Sequence, residues 1–184
     1  MIKSKAMKWF SLLLLIFLAS CATAAFQPLP PAPVTGSIYF PPRGEETEAI
    51  LRELTKARNS ILVQSFSLFS APVAEALVSA QERGVNVQIL LDKRPPDELY
   101  IANGIFVNVG ISIKIDSAHA IGQTKVMIID GETIITGSFN FTKAAEDKNA
   151  VNLLVIRDKA TAKKYTKSWQ YHEGHSEPYS GRGR

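Results

Sequence analysis

The sequence predicts an α/β domain in which strands are joined by crossover helices. Three observations predict it. Short apolar runs rich in β-branched residues, Ser60–Leu68 and Val85–Asp92, alternate with segments of helical period, Glu45–Arg58 and Pro72–Arg83. Proline and glycine fall at the ends of these segments rather than in their middles: Pro72 suits a first helical turn and Gly84 a helix stop. A length of 184 residues with 46% hydrophobic content leaves room for one domain with a real core plus short extensions.

Taken in order, the chain opens with Lys3, Lys5 and Lys8 before the apolar run Trp9–Leu18, ten residues and too short to span a bilayer. Residues 1–24 therefore read as an export signal. Leu18-Ala19-Ser20-Cys21 resembles a bacterial lipobox, whose cysteine is lipidated, whereas Ala22-Thr23-Ala24 fits ordinary cleavage after Ala24. Cys21 is the only cysteine, which tilts the reading towards a lipoprotein and rules out a disulfide within one chain. The expected location is the bacterial periplasm or an outer-membrane anchor, with secretion as the alternative. Without the three leader lysines, 18 basic side chains face 17 acidic ones. That balance gives no charge argument for nucleic acid or an anionic membrane.

Residues 25–36 are proline-rich and read as an extended linker. The folded domain is expected over 37–173. It starts with a short strand at Ser37–Phe40, followed by the helix over Glu45–Arg58, where Ile50, Leu51, Leu54 and Ala57 recur at helical spacing. After Pro95-Pro96 comes a strand-richer half: Ile111–Ile115, Thr124–Asp130, Thr133–Thr136 and Val151–Ile156, with Gly131 marking a tight connection. A short helix is expected over 141–148 and a last one over Lys159–Tyr171. Residues 174–184 lack apolar periodicity and read as a flexible tail.

The stretch that carries chemistry runs from Gln123 to Asn140. In a strand Gln123 and Lys125 point to one face, and the chain then reverses to end a second strand in Gly137-Ser138-Phe139-Asn140. An ammonium, a hydroxyl, a carboxamide and loop amides would meet there, as a phosphodiester oxyanion requires. The same residues also fit a solvated edge lysine, a plain turn and a helix N-cap.

The spacing of Lys125, Asp130 and Gly137-Ser138-x-Asn140 resembles the H-x-K-x4-D-x6-G-S-x-N signature of the phospholipase D superfamily. Gly137-Ser-Phe-Asn-Phe-Thr-Lys-Ala-Ala-Glu146 is similar to its small bacterial endonuclease branch in particular, and so is the upstream half around Ser65-Phe66, Pro72 and Arg83–Asp92. The resemblance covers Ser37–Trp169. It implies a phospholipase D-like α/β sandwich, a central mixed sheet flanked by helices with one motif per chain, and a homodimer joining two motifs. In that family a histidine attacks phosphorus, its partner protonates the leaving oxygen, and no metal or other cofactor takes part. The implied catalytic set is Lys125, Asp130, Ser138 and Asn140, with Gln123 at the nucleophile position. Lys125 and Asn140 would hold phosphate, Ser138 would support its loop, and Asp130 would be a structural carboxylate.

Two departures matter. An amide at Gln123 cannot form a phosphohistidine, and losing a nucleophile that works within a catalytic unit costs on the order of a millionfold in a serine protease. Where close members read N-x-E-N, this chain has Asn149-Ala150-Val151-Asn152, so the carboxylate that orients the histidine is also absent. His119, six residues before Lys125, reads as an exposed loop residue, or as a rescue nucleophile if the loop folds back. His172 and His175 read as a surface pair whose spacing is not that of a zincin. Two functions fit: a pseudoenzyme that binds nucleic-acid or phospholipid phosphodiesters, and a metal-independent phosphodiesterase working through a residue such as His119. The first is favoured; a membrane would be a further partner through the lipid anchor.

Overall fold

The computed structural model describes residues 35–40, 45–66, 69–92, 106–119, 122–142, 145, 147 and 149–179. The expected signal peptide, Cys21, Pro95-Pro96 and the last five residues lie outside them, as does part of the helix expected over 141–148. The main elements among the described residues follow in order: β1 (Thr35–Tyr39), α1 (Glu45–Lys56), β2 (Ser60–Ser65), α2 (Ala71–Glu82), β3 (Asn86–Asp92), β4 (Ser112–Asp116), β5 (Val126–Ile129), β6 (Thr133–Gly137), β7 (Leu153–Arg157), α3 (Lys159–Glu173) and β8 (Glu177–Pro178).

They build one mixed eight-stranded sheet in the order β1-β7-β6-β5-β2-β3-β4-β8. β2, β3 and β4 run parallel through the crossover connections, and the other pairings are antiparallel. This is the mixed α/β sandwich the sequence implies. Alternation along the strands splits the core between the two faces. Ile61, Val63, Met127 and Ile129 pack with Ile50, Leu54, Val73 and Leu77 of α1 and α2. Leu90, Val126, Ile128 and Ile134 point the other way, onto Ala162 and Trp169 of α3. The Trp169 indole is buried and donates to the Val63 carbonyl at 2.9 Å, fixing α3 across the sheet. Among the described residues no helix is long and apolar enough to cross a membrane.

Two boundaries correct the sequence reading. β1 takes in Thr35 and Gly36, assigned above to the linker, because a five-residue ladder to β7 runs from Thr35↔Arg157 to Tyr39↔Leu153. The expected tail is also partly ordered: Glu177 and Pro178 pair with Ile115 and Lys114, and the Tyr179 amide donates to the Ile113 carbonyl at 2.9 Å. An outer strand held by backbone bonds alone needs no apolar alternation, so the composition carried no sign of it.

This topology gathers the C-terminal ends of β2, β3, β4 and β6 and the N-terminal ends of β5 and β7 along one edge of the sheet. The residues with chemistry to offer lie along that edge.

Candidate active site

The loop after β6 is built by alternation. Phe139 and Phe141 are buried in the core, with Phe141 stacked on Phe69, whereas Ser138 is exposed and Asn140 half-buried. Gly137 cannot be replaced by a larger residue: its φ is +141°, and a Cβ there would come within 2.3 Å of the Asn152 carbonyl oxygen. That close approach locks the loop to the start of β7. The Ser138 hydroxyl donates to Asn152 Oδ1 at 3.0 Å and accepts from the Asn152 amide at 3.0 Å. The Ser138 amide donates to the same Oδ1 at 3.0 Å. Ser138 thus supports the loop, and Asn152, absent from the expected site set, is its counterpart. The signal was the N-x-x-N segment itself.

β5 begins at Val126 rather than Thr124. Its ladder ends where Val126 faces Gln64 and Thr136, and the Lys125 carbonyl accepts from the Thr136 hydroxyl at 2.8 Å instead. Lys125 therefore follows the last rung, beside Gly137. Its ammonium turns back on Gln123, donating to the main-chain oxygen at 2.9 Å and to Oε1 at 3.3 Å, and it lies 5.9 Å from the centre of the Phe66 ring. Lys125 is only 9% exposed, and burial pulls its pKa below the usual lysine range. Gln123 is exposed.

Asp130 sits at the other end of β5, away from this group. It takes a φ of +53° in a tight turn with Gly131 at +65°, a conformation that suits Asp-Gly. Its carboxylate accepts from the amides of Arg58, Asn59 and Ser60 at 3.0, 2.8 and 2.9 Å. Burial raises its pKa, but these three bonds outweigh that effect and hold it below 3.8. These contacts are those of a structural carboxylate.

A cavity of about 170 Å³ opens between Gln123 and Thr124 on one side and the ends of β2, β3 and β4 on the other. Asp92 and Asp116 line it, together with His119 and His172. Asp92 accepts from the Gly122 amide at 2.8 Å, tying down the loop before Gln123. Asp116 is buried and faces three imidazoles. His172 Nδ1 lies 2.7 Å from its Oδ2, and His119 Nδ1 lies 3.2 Å from both oxygens. Burial pushes the Asp116 carboxyl up. Hydrogen bonds from His172, the Ala118 amide and His119, with the approach of His175, outweigh burial and hold it at about 2. His172 and His175 are thus no casual surface pair. They meet His119 across 53 and 56 steps of sequence, a distance that no local spacing could announce.

Residues 50–172 match the family described as "Cardiolipin synthase, PLD-like domain". The chain is 38% identical over 133 residues to a phospholipase D of Rickettsia conorii, covering 72% of this chain and 66% of that one. It is 28% identical over 144 residues to the mouse mitochondrial cardiolipin hydrolase, covering 76% and 64%. The alignments thus span just under two thirds of these relatives. The fold superposes on the phospholipase D family member Nuc from Salmonella typhimurium with a TM-score of 0.76 and 33% identity, covering 80% of this chain and 99% of that one. With a mixed α/β sandwich, a lysine just before β5, a serine and an asparagine just after β6, and a family match over residues 50–172, the chain belongs to the phospholipase D-like family.

Proposed function

We propose that this protein binds phosphodiesters on a phospholipase D scaffold and has lost attack on phosphorus. Lys125 carries the reading. The residue is 9% exposed, its ammonium donates to oxygens of Gln123, and among the described residues it meets no carboxylate. A buried cation that meets no carboxylate favours an anion, and Ser138 and Asn140 follow β6 at the same end of the sheet. Gln123 stands where the resemblance puts the nucleophile. Its amide oxygen accepts from the lysine, and an amide can bind a phosphate oxygen but form no covalent intermediate. The relatives' names point to phospholipid diesters, and the resemblance to the endonuclease branch points to nucleic acid.

The test uses tag-free protein, a fluorescent oligonucleotide and vesicles containing cardiolipin. Binding to one of the two is expected, weakened at least tenfold by Lys125→Ala. Multiple-turnover cleavage of plasmid DNA or of a chromogenic diester by the unaltered chain would refute the loss of catalysis. One observation favours that second reading: His119 shares the cavity with Gln123, and Asp116 on its Nδ1 is the arrangement that fixes a tautomer with the lone pair on Nε2. Such cleavage would then vanish in His119→Ala.

A further inference from the structure

We propose that Asp116, His119, His172 and His175 form a binding site for one divalent transition-metal ion, best matched to zinc. Each residue offers one ligand atom, and these atoms all lie within 4.8 Å of one another. Four ligands around a zinc at about 2.0–2.2 Å stand roughly 3.3–3.6 Å apart in a tetrahedron. The Asp116 carboxylate already lies just inside that spacing: its Oδ2 is 2.7 Å from His172 and 3.2 Å from His119, and its Oδ1 is 3.2 Å from His175. Three nitrogens and one carboxylate oxygen suit zinc and its neighbours, not calcium or magnesium, which take oxygen ligands.

Two further observations point to an ion. His175 Nε2 is buried and, although 3.2 Å from Asp116 Oδ1, lies outside hydrogen-bonding geometry. A buried ring nitrogen in that position lacks the partner that a metal would supply. The three rings also crowd together, with centres 5.0 to 5.5 Å apart. A single cation shared by their lone pairs satisfies all three without charging any of them.

The backbone that carries the ligands is held independently of any ion. Asp116 ends β4. His172 lies in the last turn of α3, whose end is closed by the Gly174 amide on the Gln170 carbonyl at 3.0 Å and by the Ser176 hydroxyl on the His172 carbonyl at 2.7 Å. Lys114 of β4 pairs with Glu173, and β8 then returns to β4. The site therefore clamps the C-terminal segment to the end of β4. Four protein ligands make it a closed, structural centre rather than one that keeps a position open for substrate. Three of the four also line the Gln123 cavity, so the clamp sets one of its walls.

The inference does not depend on diester binding, and its test contains no diester. Full-length protein made without a histidine tag is stripped with a chelator, dialysed and titrated with zinc alone against a chromophoric competitor. One zinc per chain is expected, with Tm rising by about 5 °C or more when free zinc reaches a hundred times Kd. Cobalt in place of zinc should give the intense visible absorption of a tetrahedral ion. His172→Ala should weaken binding at least a hundredfold. His119→Gln, in an exposed loop where folding is not at stake, should weaken it at least tenfold. A stoichiometry well below one, or affinity unchanged in His119→Gln, would overturn the assignment.

Discussion

The two ends of β5 face opposite demands. At the Asp130 end three backbone amides converge on one carboxylate, and the turn takes a backbone conformation few residues accept. At the Gln123 end the side chain is exposed and bonds only to the neighbouring lysine among the described residues. One signature thus mixes residues the fold needs with a residue only the chemistry needs. That difference explains how a chain can keep Asp130, Gly137 and Ser138 while holding an amide where the resemblance puts the family's histidine. Folding protects the first kind and is indifferent to the second.

The largest effect that would sharpen this contrast is catalytic. Gln123→His combined with Val151→Glu should raise cleavage of a chromogenic diester at least about a hundredfold over the unaltered chain, followed by steady-state release of nitrophenol. No gain would mean that the scaffold has drifted beyond those two positions. Next in size is Gly137→Ala, which must place a methyl group against the Asn152 carbonyl at a φ of +141°. It should cost about 3 kcal/mol or more in urea unfolding.

Smaller again is Asp130→Ala, expected to cost about 2–3 kcal/mol at neutral pH through three lost charge-assisted bonds, against a change within about 0.5 kcal/mol for Gln123→Ala. The pH dependence has a definite sign. The folded-state pKa of Asp130 is depressed, so its contribution is fully present above the ordinary value of 3.8 and disappears as pH falls through the lower folded value. The stability gap between wild type and Asp130→Ala should therefore close in acid, measured as unfolding midpoints from pH 6 down to pH 2. A gap that stays constant would break the proposed division between the two ends.

Much of the fold was legible because its signals are local. The apolar period over α1, the proline opening α2 and the β-branched runs of β2 and β3 each fall within a dozen residues, and their observed bounds lie within a few residues of those expected. Strand order was not legible, because β1 beside β7 and β5 beside β2 depend on contacts far apart in sequence. Lys125, Ser138 and Asn140 stood out through fixed spacing. The Asp116–His119–His172–His175 group did not, since its halves belong to different elements and meet only after the helix α3 has crossed the sheet. Glu177-Pro178 escaped notice for a related reason: an outer strand pairs through its main chain, and side-chain pattern says little about it.

The return of the chain to β4 has a practical meaning for anyone trimming the protein. A cut placed at the end of α3 looks harmless on composition, yet it would strip the cover from β4 and leave the amide and carbonyl groups around Lys114 and Ile115 facing solvent. Bare strands of that kind recruit one another, so the shortened molecule would gain a sticky flank and a tendency to associate.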